Sequence, residues 1–212
     1  MAFRSECASF RPRQFRTMLT SAARVPDFTK NLTIIINEED AQTTATFTVP
    51  EGPLTEHSKF FKAACRDASG KATTAIKLTQ VDPETFRAYL FWIHGRKIAF
   101  DVNFARQGVS ASALYPTSLA LAKLWLLADR LTTTKLRNDV MEALSRLLVS
   151  LDPKQGNLTD IFPPSMTVLI WPATTPGRSL RKLVVDYYAK VPIPQIEEHA
   201  AEHHPDFIQE LL

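Results

Sequence analysis

The sequence predicts an α+β domain in which a small sheet of about three strands is capped by a cluster of helices. A β-branched run at 32–36 and an alternating apolar–polar run at 44–49 indicate two strands joined by a polar turn. Beyond residue 116, apolar residues recur at helical spacing through two long segments. The order strand-strand-helix-strand-helix, followed by buried helices, indicates a mixed α+β fold.

Shorter elements are expected between these two regions. The Pro50–Pro53 turn should end the second strand, and the apolar spacing from Leu54 to Cys65 predicts one helix. Ala75–Leu78 is predicted as a third short strand, and 97–100 is a candidate fourth.

The clearest helix start is at Asp82, because Asp is a favourable N-cap residue and Pro83 suits the first helical position. Gly95 should end this helix with a positive φ. No periodicity is present in 101–115, which predicts a loop.

Two helices are predicted after Pro116. The first, up to Leu131, is apolar on most sides and should be buried between other elements. The second should be capped by Thr133 or Thr134 and bury one side, which consists of Leu136, Val140, Leu144 and Leu147.

Three segments follow from these patterns. Residues 1–26 are predicted as a basic amphipathic helix, 27–150 as the folded domain, and 151–212 as a proline-rich, partly helical extension with eight of the fourteen prolines. Helices are expected at 179–188 and after Pro205.

Composition restricts the class of protein. The 212 residues are 45% hydrophobic with a net charge of +3, and residues 1–30 carry six Lys/Arg against two acidic residues, so the rest is nearly neutral. We therefore expect no nucleic-acid binding. The longest apolar stretch, 119–131, is shorter than the roughly 20 residues of a membrane span and carries charged residues, so no span is expected. Two cysteines, Cys7 and Cys65, cannot form a disulfide framework, which indicates an intracellular protein of the cytoplasm or nucleus.

The basic N-terminal helix presents one apolar face, a candidate for self-association: Phe15, Met18, Leu19 and Ala22. Three other interpretations remain open, namely a disordered basic arm, a contact to an anionic polymer and a mitochondrial transit peptide, which is also Arg-rich and poor in acidic residues.

No motif predicts catalytic, cofactor-binding or metal-binding residues. His199, Glu202 and His203 match the H-x-x-E-H pattern of zinc hydrolases, but Pro205 interrupts any helix there, so a solvated helix end is expected and zinc hydrolysis is a remote alternative. Cys65 lies among apolar residues, where a thiol is usually an inert part of the core.

Residues 28–150 resemble the BTB/POZ domain, in particular its fungal branch. The first strand matches at 32–36, and the strings 47–64, 76–93, 124–131 and 135–144 resemble the family's later signatures. The residues that carry the resemblance are Phe47, Leu54, Ser58, Phe60, Phe61, Asp82, Phe86, Trp92, Ala128 and Asp129.

The chain departs from this family at three positions associated with its homodimer. Asn31 stands where the family usually has Asp, Pro50 where it has His, and Glu51 where it often has Lys. The charged pocket that many BTB homodimers share would thus hold one neutral residue and one acid.

The resemblance implies a non-enzymatic protein–protein interaction module without a cofactor, whose partner is a second copy or another protein. An adaptor of a cullin-type ubiquitin ligase is the alternative. Cullin-binding members often carry a Glu before the late helices, whereas this sequence has none between Glu84 and Glu142.

Overall fold

A computed structural model of the protein describes residues 29–37, 44–66, 73–98, 110–151 and 157–212. The predicted N-terminal helix and its apolar face, Phe15, Met18, Leu19 and Ala22, lie outside the described residues. Their assignment remains a prediction.

Three strands form one mixed sheet in the order β2–β1–β3: β1 Asn31–Asn37, β2 Thr44–Pro50 and β3 Ala75–Thr79. β1 pairs antiparallel with β2 and parallel with β3. Alternate residues of β1, namely Leu32, Ile34 and Ile36, are buried, because successive side chains of a strand point to opposite faces. The three predicted strands are confirmed.

Two short helices, α1 Glu51–His57 and α2 Lys59–Ala64, occupy the stretch predicted as one helix. α1 begins directly after β2, so Gly52 and Pro53 belong to its first turn and not to a separate turn. Pro is tolerated there because a first-turn N–H has no intrahelical partner. The chain then becomes extended at Ser58, which separates the two helices.

α3 spans Pro83–Gly95 and begins as predicted, with the Asp82 carboxylate accepting a hydrogen bond from the Glu84 N–H at 3.1 Å. Its end differs from the prediction. The left-handed residue is Arg96, with a φ of 54°, and Gly95 is still helical. The candidate fourth strand, 97–100, is described only at Lys97 and Ile98. Neither residue lies in a strand.

α4 spans Ala111–Arg130 and therefore begins within the stretch predicted as a loop. Pro116 lies inside it and removes one i→i−4 hydrogen bond without ending the helix. Within the described residues α4 alone is long and apolar enough to cross a membrane, yet half of that stretch is buried inside the protein. As predicted, it is a core helix, with Leu121, Leu124 and Trp125 among its buried residues.

α5 spans Thr134–Ser150 and buries the predicted side, Leu136, Val140, Leu144 and Leu147. Thr133 is its N-cap residue, but its side chain makes no capping hydrogen bond. The first turn of α5 therefore lacks the side-chain cap that the sequence suggested.

The described part of the C-terminal segment, 157–212, is largely helical. A 3-10 turn at Leu158–Ile161 precedes α6 Pro164–Ala173, α7 Ser179–Tyr188, α8 Ile193–Glu197 and α9 Pro205–Leu211. The predicted helices at 179–188 and after Pro205 are confirmed. Trp171, Tyr188 and Phe207 are buried and belong to the same core as the sheet and α3–α5. The α+β class, a three-stranded sheet capped by helices, is thus confirmed.

Candidate protein-binding groove

The three positions that depart from the BTB pattern meet at one end of the sheet. Asn31 and Pro50 are register partners in the β1–β2 ladder, and the Glu51 N–H donates a hydrogen bond to the Lys30 carbonyl oxygen at 2.8 Å. Asn31 is exposed, whereas Pro50 and Glu51 are half-buried. The residues singled out from the sequence are therefore neighbours in space.

A groove of about 780 Å³ opens next to this end of the sheet. Its walls are α1, α2 and the turn between α4 and α5, and Lys30 closes one side. The lining side chains are almost all polar or charged: Lys30, Glu51, Thr55, Glu56, His57, Ser58, Lys59, Lys62, Cys65, Arg66, Thr132, Thr134 and Lys135. We call this feature the basic groove.

Ser58 fixes the geometry of the walls. Its buried Oγ donates a hydrogen bond to the Leu131 carbonyl oxygen at 2.6 Å, which ties the start of α2 to the end of α4. The same oxygen accepts a hydrogen bond from the Phe61 N–H at 3.1 Å and caps α2. Because one hydroxyl serves both elements, the walls are held at a fixed distance.

The charge of the basic groove is predominantly positive. Among the described residues, it is lined by five cationic side chains and two carboxylates, Glu51 and Glu56. The five cations are Lys30, Lys59, Lys62, Arg66 and Lys135. None of them forms an ion pair with a described residue. Unpaired cations on a concave surface attract anionic groups more strongly than scattered surface lysines do.

The N-terminal end of α5 adds to this potential. Thr134 and Lys135 line the basic groove, the N-cap residue Thr133 makes no side-chain cap, and the first turn contains no acidic residue. The positive end of a helix dipole is therefore not compensated by a side chain of its own helix.

Two titratable groups of the basic groove have altered pKa values. Burial, and then the charge of Arg96, lowers the pKa of His57, whose ring also lies edge-on against Trp92. Burial, and then the Glu51 carboxylate, raises the pKa of the Cys65 thiol to about 11. Both groups are held in their neutral forms near neutral pH.

The residues that carry the family resemblance are mainly structural. Phe47 packs edge-on against Phe86 with ring centroids 5.1 Å apart, and Trp92 donates a hydrogen bond from Nε1 to Asp139 at 2.8 Å. Leu54, Phe61 and Ala128 are buried, Phe60 is half-buried, Asp82 caps α3, and Asp129 pairs with Arg137 and Arg178. Only Ser58 among them reaches the basic groove.

The H-x-x-E-H segment differs from the expected solvated helix end. His203 is buried, and its ring contacts Tyr188 and Phe207 while Nδ1 lies 3.2 Å from Thr167 Oγ1. His199 instead contacts Glu202 at 3.2 Å near the surface. Within the described residues, no group of three or more His, Cys, Asp or Glu is arranged to hold a metal ion.

The cations of the basic groove were not anticipated from the sequence. Lys59 and Lys62 are spaced by three residues, so their placement on one side of α2 could have been detected, and Arg66 follows the end of that helix. Lys30 and Lys135 join them only through the tertiary fold, for which the sequence holds no local signal.

The similarity of this chain to known proteins lies in its structure. No protein-family model matches the chain, and no curated protein matches it by sequence. Among the similar solved structures is the BTB domain of zebrafish PATZ1, with 16% identity and a TM-score of 0.34, covering 53% of this chain and 75% of that chain. The fold class therefore rests on the structure described above.

Proposed function

We propose that this chain is a non-enzymatic protein–protein interaction module of the BTB/POZ type. The observation that carries the proposal is the basic groove, a concave surface whose cationic side chains have no ionic partner within the described residues. The resemblance of residues 28–150 to BTB/POZ domains supports the same class of function.

The environments of the candidate catalytic groups favour binding over catalysis. A cysteine nucleophile reacts as the thiolate, whereas burial raises the pKa of Cys65 to about 11. His203 is enclosed by aromatic rings and Thr167, and this arrangement suits a packed core histidine better than a zinc ligand facing a cleft.

Self-association through the N-terminal helix is the specific form of the proposal. Light scattering of the 212-residue chain over a wide concentration range should show a dimer. The double variant Met18→Glu, Leu19→Glu should be a monomer, because two carboxylates would be buried in the apolar interface. The circular dichroism spectrum should stay native.

Thr17→Glu, Thr20→Glu provides the matched control, because it adds the same charge to the opposite side of the predicted helix. An unchanged mass in the Met18→Glu, Leu19→Glu variant would refute self-association through this face. If the unmodified chain is a monomer, homodimerisation is excluded and binding to a different protein remains. A purified cullin scaffold would then be the first partner to test.

A further inference from the structure

We infer that the basic groove docks an acidic peptide segment of a partner protein. This inference rests on the proposed binding function and adds the chemistry of the partner. Its evidence is the arrangement of charges in the groove, which is independent of the N-terminal helix and of any self-association.

The charges of the basic groove favour an acidic ligand. Among the described lining residues, five cations face two carboxylates, Glu51 and Glu56. A ligand carrying several carboxylates would therefore gain favourable interactions with at least three uncompensated cations. Complementary charge of this kind mainly increases the association rate and makes affinity sensitive to salt.

The N-terminus of α5 favours the same kind of ligand. Its first turn carries neither a side-chain cap nor an acidic residue, and it lines the same groove as the cations. A carboxylate of the bound segment placed there would satisfy free backbone N–H groups and interact with the helix dipole. The cations and the helix end thus select the same kind of ligand.

Thr132, in the groove wall, has an unusual backbone conformation. Its φ of 54° is a left-handed conformation, which β-branched residues rarely adopt. The strain is maintained by the turn between α4 and α5, where the Thr132 N–H donates to the Asp129 carbonyl oxygen at 3.0 Å. This conformation closes the C-terminus of α4, where the Thr133 N–H donates to the Ala128 carbonyl oxygen at 2.8 Å, and it places the start of α5 beside the cations of the groove.

Two other occupants fit less well. The chain's own residues 1–28, which precede the groove residue Lys30, carry five Arg against two acidic residues and would be repelled. A nucleic acid would meet Glu51 and Glu56, and no Phe, Tyr or Trp among the described lining residues offers a surface for base stacking.

The test uses the full chain and a fluorescein-labelled peptide of alternating Glu and Asp residues, titrated by fluorescence anisotropy. We expect binding that weakens as salt increases. The double variant Lys59→Glu, Lys62→Glu should bind about tenfold more weakly or worse, because two attractive charges become repulsive.

Lys182→Glu, Lys190→Glu is the matched control, since both lysines are exposed and lie away from the groove, and the change in net charge is identical. Its affinity should stay within about twofold of that of the unmodified chain. Equal losses in the two double variants would overturn the inference, because binding would then depend only on net charge.

Two further results would also overturn it. Tighter binding of a single-stranded oligonucleotide of equal charge would assign the groove to nucleic acid, and a mass that falls in Lys59→Glu, Lys62→Glu would assign it to a second copy. The N-terminal double variant Met18→Glu, Leu19→Glu should bind the peptide with unchanged affinity. Loss of peptide binding and loss of self-association can therefore be distinguished.

Discussion

Ser58 donates a hydrogen bond from Oγ to the carbonyl oxygen of Leu131, which lies 73 residues further along the chain, at 2.6 Å. Both partners are buried, and the same hydroxyl caps α2. The two helical walls of the basic groove are therefore connected through a single side chain. Loss of that hydroxyl would leave the Leu131 carbonyl and the Phe61 N–H without their partner.

Ser58→Ala should lower the free energy of unfolding by about 1–3 kcal/mol, because it removes a helix cap and leaves buried polar groups unpaired. Urea denaturation followed by circular dichroism measures the change. The control is Ser145→Ala, whose exposed hydroxyl donates only to the Met141 carbonyl of its own helix, and it should cost at most about 0.5 kcal/mol. Equal costs would contradict a connecting role for Ser58.

Arg181 anchors the C-terminal helices. Its buried guanidinium donates to the Trp171 and Thr174 carbonyl oxygens, both at 2.6 Å, and pairs with the Glu210 carboxylate. Arg181→Met should cost about 3 kcal/mol or more in unfolding free energy, because it leaves these acceptors unpaired. Arg146→Met, which breaks the exposed Arg146–Glu142 pair, should cost about 0.5 kcal/mol or less in the same denaturation assay.

The strands and core helices could be predicted because their signals are local. Leu32, Ile34 and Ile36 alternate with less buried residues, and Asp82 begins α3 with a side-chain cap. The break at Ser58 has a local signal, because Ser is a favourable N-cap residue and its Oγ accepts from the Phe61 N–H, whereas its hydrogen bond to Leu131 cannot be derived from local sequence. The predicted end of α3 and start of α4 differ from the observed ones, because tertiary structure there outweighs local preference.

The candidate site was predicted only in part. The adjacency of Asn31, Pro50 and Glu51 follows from pairing two strands in register, which the hydrophobic pattern supports. Neither Lys59 nor Lys135 forms an ion pair with a described residue although Glu51 and Glu56 line the same groove, and only the folded structure shows this.

Cys65 should react slowly with thiol reagents in the native protein. Burial and Glu51 raise its pKa to about 11, so at pH 8 the thiolate is about 0.1% of the population. In a Cys7→Ser variant, Ellman's reagent should modify native Cys65 at least about 100-fold more slowly than the same chain in urea. Similar rates in the two conditions would show that the thiol is exposed and ionised in the folded protein.

Thr132→Gly should stabilise the protein. Removing the side chain relieves a left-handed strain of about 1–2 kcal/mol, while the greater freedom of Gly in the unfolded chain offsets about 0.5–1 kcal/mol. The unfolding free energy should thus rise by about 0.5–1 kcal/mol. Thr134→Gly, in the first turn of α5 without a positive φ, should instead destabilise the protein. A loss of stability in Thr132→Gly would mean that the Thr132 side chain makes stabilising contacts that exceed the strain.

Stability should fall as the pH decreases below about 6.5, because His203 is buried and its Nε2 has no hydrogen-bond partner. Burial, and then the charge of His199, lowers its pKa, whereas Glu202 acts in the opposite direction. Below the unfolded value near 6.5, the unfolded chain binds a proton that the native chain does not, so unfolding becomes more favourable.

His203→Phe tests this pH dependence, because Phe can pack between Tyr188 and Phe207 but does not titrate. Between pH 5 and 7, its unfolding free energy should fall less steeply than that of the unmodified chain, by up to about 1.4 kcal/mol per pH unit. A residual slope should remain, because burial also lowers the pKa of His57. His94→Gln, at an exposed position of α3, should retain the original slope, and an identical slope in all three proteins would exclude His203 as the group responsible.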